Sequence, residues 1–276
     1  MNFGRHLALV ATGVAAIALA GNAQATITTV PQSALVASSY YYTDTIGGGI
    51  GNVVVTTGGG NAANVGNASG RNDDGYSLLN LGFSINYFGQ NYSSLYINNN
   101  GNVSFGAGIS DYVPVGPTGA AAPVISPFFS DVDTRALTSG VVHVRTDIAD
   151  EVIVTWDNVG YYNTHGTPLN SFQLVLRSAS YNIPVGEGAI GFFYRDMGWE
   201  RTDTSTTAAV GFGDGQGNGE VIVGSNASGM NAVVANHHIW FDPNLAPVYE
   251  TPEPTALALV AAGLLAGWGV RRQKRA

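Results

Sequence analysis

The chain has 276 residues, a formal net charge of −8 and only 11% charged residues. Its one lysine is Lys274, and six arginines are spread singly between residues 26 and 251. Binding to a phosphate backbone requires clustered cations, which this part of the chain does not have, so nucleic acid is excluded as a partner. The absence of cysteine excludes disulfides and thiolate metal sites, so stability has to come from a hydrophobic core.

The N-terminus has the pattern of a secretory signal peptide. Arg5 and His6 precede an apolar stretch over residues 7–20, and Ala23 and Ala25 are the small residues that signal peptidase accepts. We therefore predict a signal peptide over residues 1–25, with cleavage before Thr26 and export of the remainder.

Residues 26–77 are predicted to form a lead-in rich in glycine and asparagine. Three tyrosines at 40–42 and three valines at 53–55 are candidate edge strands, and glycine triplets lie nearby at 47–49 and 58–60. This composition favours a partly ordered segment.

From residue 78 onward, short β-branched and aromatic runs recur between turn residues. Leu81, Phe83, Ile85 and Tyr87 alternate with small or polar residues, as one face of a strand does, and Asn100-Gly101 predicts a type I′ hairpin. Further strands are predicted at 140–145, 151–156, 172–177, 188–194, 208–213 and 220–223. The pattern predicts an all-β fold, an antiparallel β-sandwich-like domain over residues 78–245.

Several of these segments, in this order, resemble the nidogen-like (NIDO) extracellular domain. The resemblance is carried by residues 96–105, 125–135, 152–156, 172–176 and 209–215. It implies a non-enzymatic module of the kind found in matrix and adhesion proteins, with an extracellular protein or polysaccharide as its ligand.

The C-terminal part, residues 246–276, is predicted to be a linker followed by a sorting signal. Pro252, Glu253 and Pro254 precede an uncharged apolar run over 255–270, which is long enough for a short membrane helix, and a cationic end then keeps the tail in the cytoplasm. That end consists of Arg271, Arg272, Lys274 and Arg275. An ordinary C-terminal membrane anchor is the alternative.

The order of these elements resembles the PEP-CTERM sorting signal. The resemblance implies that exosortase, a membrane transpeptidase, cuts near the motif. It also implies transient anchoring in the inner membrane by the C-terminal helix, before transfer of the protein to the surface or to an exopolysaccharide matrix.

Asp131 and Asp133 are the candidate metal ligands. One residue separates them, so on an extended strand they point to the same side and could bind a hard cation such as calcium. The alternative is a structural role in which they cap loops and Arg135 serves as the counter-ion.

No catalytic constellation is predicted. Asp131, Asp133, Asp157 and Glu200 could supply the carboxylate pair of a glycosidase, but the sequence does not bring them together. Exposed aromatic residues could stack on sugars, although core positions are the usual alternative; the candidates are Trp156, Tyr161, Tyr162 and Trp199. The sequence therefore favours an exported, non-enzymatic surface or matrix protein, and the alternative is a secreted carbohydrate-active hydrolase that uses the acidic loops.

Overall fold

The structure is a computed structural model that describes residues 25–54 and 69–249. The predicted signal peptide up to residue 24 and the predicted C-terminal helix with its sorting residues lie outside the described residues. The strands are β1 (Ile27–Val30), β2 (Val36–Ala37), β3 (Asn52–Val53), β4 (Tyr76–Tyr87), β5 (Gln90–Asn98), β6 (Asn102–Ser104), β7 (Val124–Phe129), β8 (Val142–Arg145), β9 (Glu151–Tyr161), β10 (His165–Arg177), β11 (Ile190–Met197), β12 (Ala209–Gly213), β13 (Gly219–Ile222), β14 (His237–Phe241) and β15 (Pro247–Val248). The helices of the described part are α1 (Tyr42–Ile46) and α2 (Met230–Val234).

The strands form two sheets, which confirms the predicted all-β class. The first sheet has the order β1-β13-β12-β7-β6-β5-β4, and the second has the order β15-β14-β11-β10-β9-β8-β3, with β2 added beside β14. Neighbouring strands run antiparallel except β1 and β13, which are parallel. Three of the first four elements, β1, β2 and β3, lie in the segment that was predicted as a lead-in, and each pairs with a strand from the second half of the chain or from its middle.

The core lies between the two sheets and follows from the two-residue period of the strands. On β10, Phe172, Leu174 and Leu176 face the core between the sheets, whereas Val175 belongs to a second apolar cluster on the outer face. Aromatic rings connect the sheets: Phe128 and Phe172 have centroids 5.6 Å apart, and Phe192 and Phe212 are 5.3 Å apart. These contacts join the sheets into a sandwich.

The outer face of the second sheet is covered by α1. Tyr42 packs edge-on against Trp240 and accepts a hydrogen bond of 2.6 Å from the buried Arg177. The strand predicted at residues 40–42 is therefore wrong, because Tyr41 is the N-cap of α1 and Tyr42 is its first residue. Asp44 accepts a hydrogen bond from the backbone N–H of Tyr41 and closes that cap.

The hairpin predicted at Asn100-Gly101 is present, but its turn is of another type. Asn98 pairs with Asn102, so three residues connect β5 and β6 instead of two, and only the third, Gly101, has a positive φ, +75°. This geometry is that of a three-residue loop with glycine in the left-handed position. A Cβ at Gly101 would lie 1.9 Å from the carbonyl oxygen of Phe128, so glycine is required there for space as well.

Within residues 25–54 and 69–249, no helix is long and apolar enough to cross a membrane.

Candidate functional site: an acidic pocket beside the asparagine turn

The turn between β5 and β6 is built from buried asparagines that fix the surrounding loops. Asn100 donates hydrogen bonds to Asp74 Oδ1 (2.7 Å) and to the carbonyl oxygen of Asp111 (3.1 Å). Its own Oδ1 accepts a hydrogen bond from the backbone N–H of Val132 (3.0 Å). One buried amide therefore ties three separate loops together, and it sets the position of the chain between Asp131 and Asp133.

The two aspartates of the 131–133 loop have different environments. Asp133 is fully buried and binds Arg135 through both of its oxygens, and its Oδ2 also accepts a hydrogen bond from the backbone N–H of Thr164. Arg135 reaches Asp73 Oδ2 as well, at 2.6 Å. Asp133 thus has contacts of the structural kind that the sequence offered as an alternative, with Arg135 as its counter-ion and a backbone N–H as a further donor.

Asp131 faces a cavity of about 450 Å³ together with Asp73 and Asp74. Each of these three residues offers a carboxylate oxygen, and the three oxygens all lie within 4.8 Å of one another. Tyr112, Arg135, Tyr162 and Thr204 line the rest of the cavity. We call this set the acidic pocket.

Two oxygens of the acidic pocket have no donor among the described residues. Asp131 Oδ2 accepts a hydrogen bond of 3.3 Å from Thr202 Oγ1, but Asp131 Oδ1 and Asp73 Oδ1 are buried without a hydrogen-bond partner. Asp73 is 4% exposed and Asp131 is 1% exposed. Buried carboxylate oxygens without donors are costly, because water solvates them strongly.

Burial and mutual repulsion make these carboxyl groups hard to ionise. Burial, with the charges of Asp133 and Asp74, raises the pKa of Asp73 to about 8. Burial and the charge of Asp74 raise the pKa of Asp131 to about 7. Burial also raises the pKa of Asp74, although the hydrogen bond from Asn100 and the charge of Arg135 oppose this rise. The single positive charge of Arg135 is therefore too small to stabilise all of these carboxylates in their ionised form.

A protein-family model described as NIDO related matches residues 39–249, which is more than half of the chain. The chain belongs to the NIDO-related family. The PEP-CTERM protein-sorting motif matches residues 250–274, directly after the NIDO-related domain. Both resemblances of the sequence are confirmed, and the NIDO-related match extends further than the segment that suggested it.

Curated animal proteins match about half of this chain. Alpha-tectorin of Mus musculus is 31% identical over 165 residues, which are 50% of this chain and 7% of that protein. Alpha-tectorin of Homo sapiens is 30% identical over 165 residues, and nidogen of Drosophila melanogaster is 27% identical over 155 residues, 46% of this chain and 11% of that protein. The chain therefore spans only a small part of the length of these relatives. No solved structure shows a significant match.

The other acidic residues considered from the sequence lie outside the acidic pocket of the NIDO-related domain. Asp157 accepts hydrogen bonds from Tyr41 Oη and Asn158 Nδ2. Glu200 accepts hydrogen bonds from the backbone N–H groups of Gly229 and Asn231, where it caps the start of α2. Of the four carboxylates that could have supplied the pair of a hydrolase, only Asp131 lines the cavity.

The aromatic candidates are divided between the core and the pocket. Trp156 and Trp199 are buried, and their indole N–H groups donate to the carbonyl oxygens of Asn99 and Val159. Tyr161 stacks on His165 and packs against Trp199. Tyr162 is 39% exposed and is the candidate that lines the acidic pocket.

The sequence pattern did not single out Asp73, Asp74 and Tyr112, which also line the acidic pocket. Asp73 forms an isolated antiparallel bridge with Asp133, which brings two distant segments side by side. A signal was present, because the run Asn72-Asp73-Asp74-Gly75 is as acidic and as typical of a turn as the 131–133 loop. The calcium site on Asp131 and Asp133 stays a prediction. The carboxylates that lie next to Asp131 in the pocket are those of Asp73 and Asp74.

Proposed function

We propose that the chain is exported, processed by exosortase, and retained at the cell surface or in the extracellular matrix, where its NIDO-related domain binds a protein or a polysaccharide without catalysing a reaction. The observation that supports this proposal most is the direct succession of two matches, the NIDO-related domain over 39–249 and the sorting motif over 250–274. A domain followed by a sorting motif is arranged for delivery as a complete unit.

The acidic pocket supports binding more than hydrolysis. Glycosidases hold their two carboxyl groups roughly 5–10 Å apart, so that a sugar fits between them. In the acidic pocket the carboxylate oxygens of Asp73, Asp74 and Asp131 are within 4.8 Å of one another. The carboxylate of Asp133, two residues after Asp131, is bound to Arg135. This spacing suits a small occupant better than a sugar ring.

The sorting half of the proposal is tested by replacing Pro252, Glu253 and Pro254 with alanine. We expect the variant to accumulate as an unprocessed, membrane-bound precursor, because the stiff turn before the helix is the proposed recognition element. The measurement is fractionation with intact mass. Replacement of the flanking Glu250 and Thr251 by alanine is the matched control and should leave processing normal; normal processing of the first variant would refute the exosortase role.

The binding half is tested by incubating the purified exported protein with exopolysaccharide from the producing cells. We expect a bound fraction on sedimentation and no new reducing ends. A hydrolase would release reducing ends, and the double variant Asp131→Asn, Asp133→Asn would abolish that release. Turnover with this dependence would replace the binding module by the hydrolase.

A further inference from the structure

The charges of the acidic pocket are not balanced by its own residues. Asp73, Asp74 and Asp131 approach one another, and Arg135 forms salt bridges with Asp73 and with the neighbouring Asp133. The guanidinium is engaged by Asp133 and by Asp73 Oδ2. Asp74 has a neutral donor, Asn100, and Asp131 has a neutral donor, Thr202. A second positive charge is needed if these groups are to be ionised together.

The position for that charge is indicated by the buried oxygens without donors. Asp73 Oδ1 and Asp131 Oδ1 are both inaccessible to bulk water and have no hydrogen-bond partner within the described part of the chain, and both carboxyl groups line the same cavity. Glu151 Oε1 is also buried without a hydrogen-bond partner, but Glu151 is held by the buried guanidinium of Arg177, which donates a hydrogen bond of 2.7 Å to Oε2. Asp73 and Asp131 differ from Glu151 because they bring two such oxygens to one cavity. The two oxygens are therefore placed as ligand atoms are, and not as structural acceptors.

The spacing of the oxygens fits a calcium ion. Calcium binds oxygen at roughly 2.3–2.6 Å, so two ligands on opposite sides of the ion are about 5 Å apart. Carboxylate oxygens of Asp73, Asp74 and Asp131 that all lie within 4.8 Å of one another can share such an ion. Magnesium demands a near-octahedral shell of shorter bonds, whereas calcium accepts an irregular set of protein oxygens completed by water.

We propose that the acidic pocket is a calcium site whose protein ligands are Asp73, Asp74 and Asp131. Arg135 and Asp133 act beside it as positioning residues, since the salt bridge holds Asp73 in place. The open side of the cavity, next to Tyr112, Tyr162 and Thr204, leaves the remaining coordination positions to water or to an oxygen of a ligand. This proposal goes beyond the proposed function and does not depend on it.

The test uses the exported protein, purified, treated with a chelator and dialysed, with calcium chloride as the probe. Calorimetry should show one site per chain, with a Kd in the range of about 10⁻⁴–10⁻³ M that is usual for extracellular modules, and with weaker binding of magnesium. Calcium at 100 times Kd should raise Tm by about 5–10 °C. Absence of calcium binding at 10 mM, which is about ten times the weakest Kd of that range, would overturn the proposal.

Isosteric variants separate ligand binding from a structural role. Asp131→Asn and Asp74→Asn should each weaken calcium binding at least tenfold and abolish most of the rise in Tm. In chelator, however, both variants should melt at or above the Tm of the wild type, because each removes a repelled charge. Asp196→Asn, on β11 and away from the pocket lining, is the matched control and should bind calcium as the wild type does. Two folded pocket variants with wild-type affinity would overturn the proposal.

Discussion

Asn100 is the residue that connects the loops around the acidic pocket. Its amide holds Asp74, the backbone at Asp111 and the backbone N–H of Val132 at once, from a position that is almost fully buried. An aspartate at this position would add a further negative charge beside Asp74 and could not donate a hydrogen bond to it. The acidic groups are thus brought together by a neutral residue.

We expect Asn100→Ala to destabilise the domain. The substitution removes the donor to Asp74 and to the carbonyl oxygen of Asp111, and it leaves the N–H of Val132 only the carbonyl oxygen of Ser130 as an acceptor. We therefore expect the free energy of unfolding to fall by about 1–3 kcal/mol. Urea denaturation measures this change. Asn86→Ala is the matched control, because Asn86 is exposed and bonds only Asn91 through its side chain, and its effect should stay within about 0.5 kcal/mol. Equal effects of the two substitutions would contradict the role of Asn100.

The raised pKa values predict how stability depends on pH when calcium is absent. The pKa of Asp73 is raised from 3.8 to about 8 and that of Asp131 to about 7, so the folded state keeps protons that the unfolded state has released. Their stabilising effect is complete below about pH 4 and is lost as the pH rises through 7 and 8. We therefore expect the Tm in chelator to fall over this interval.

Calcium and Asp131→Asn provide the comparison for this pH dependence. Saturating calcium should flatten the fall between pH 6 and pH 8, since the ion replaces the protons as the compensating charge. Asp131→Asn should reduce the fall in chelator, because one of the titrating groups is gone. A Tm that rises from pH 5 to pH 8 in chelator would show that these carboxyl groups are not strained by their surroundings.

At the scale of the element, alternation along the strands was enough to predict most of the sandwich. The runs around Phe172 and Ile190 appeared as strands because both sheet faces are buried there and β-branched and aromatic residues fill them. The tyrosines at 40–42 suggested a strand for the same reason, because aromatic residues favour strands. In the structure, the contacts of Tyr42 with Trp240 and Arg177 outweigh this local preference.

The acidic pocket shows why a site is harder to predict than a strand. Alternation placed Asp131 and Asp133 on one side of a local segment, yet a salt bridge from Arg135 removed Asp133 from the cavity. Asp73 and Asp74 joined Asp131 through a bridge between segments far apart in the chain. Spacing along one strand is a local property, and such pairing is not.

A pair of leucines measures how much the sandwich core contributes. Leu174 is fully buried in the middle of β10, whereas Leu137 is 89% exposed. We expect Leu174→Ala to lower the free energy of unfolding by about 2–5 kcal/mol, because it leaves a cavity between the sheets. Leu137→Ala should change it by less than about 0.5 kcal/mol. Denaturant titration of both variants checks this, and similar losses would contradict the assigned core.

At the scale of the whole molecule, the chain combines a domain stabilised by an apolar core with a sorting motif that begins where the domain ends. With no cysteine, the domain requires no oxidant to fold, so its stability outside the cell rests on packing and, as proposed, on calcium. The first described strand, β1, pairs with β13 close to the predicted cleavage before Thr26. The body that would remain after both cleavages therefore contains both sheets.

Intact mass combined with fractionation of the native product tests export and sorting of the chain together. We expect a polypeptide that begins at Thr26, lacks the apolar segment after Pro254, and is found at the cell surface or in the matrix. A full-length polypeptide in the cytosol, with residues 1–25 and 255–276 still attached, would contradict this expectation.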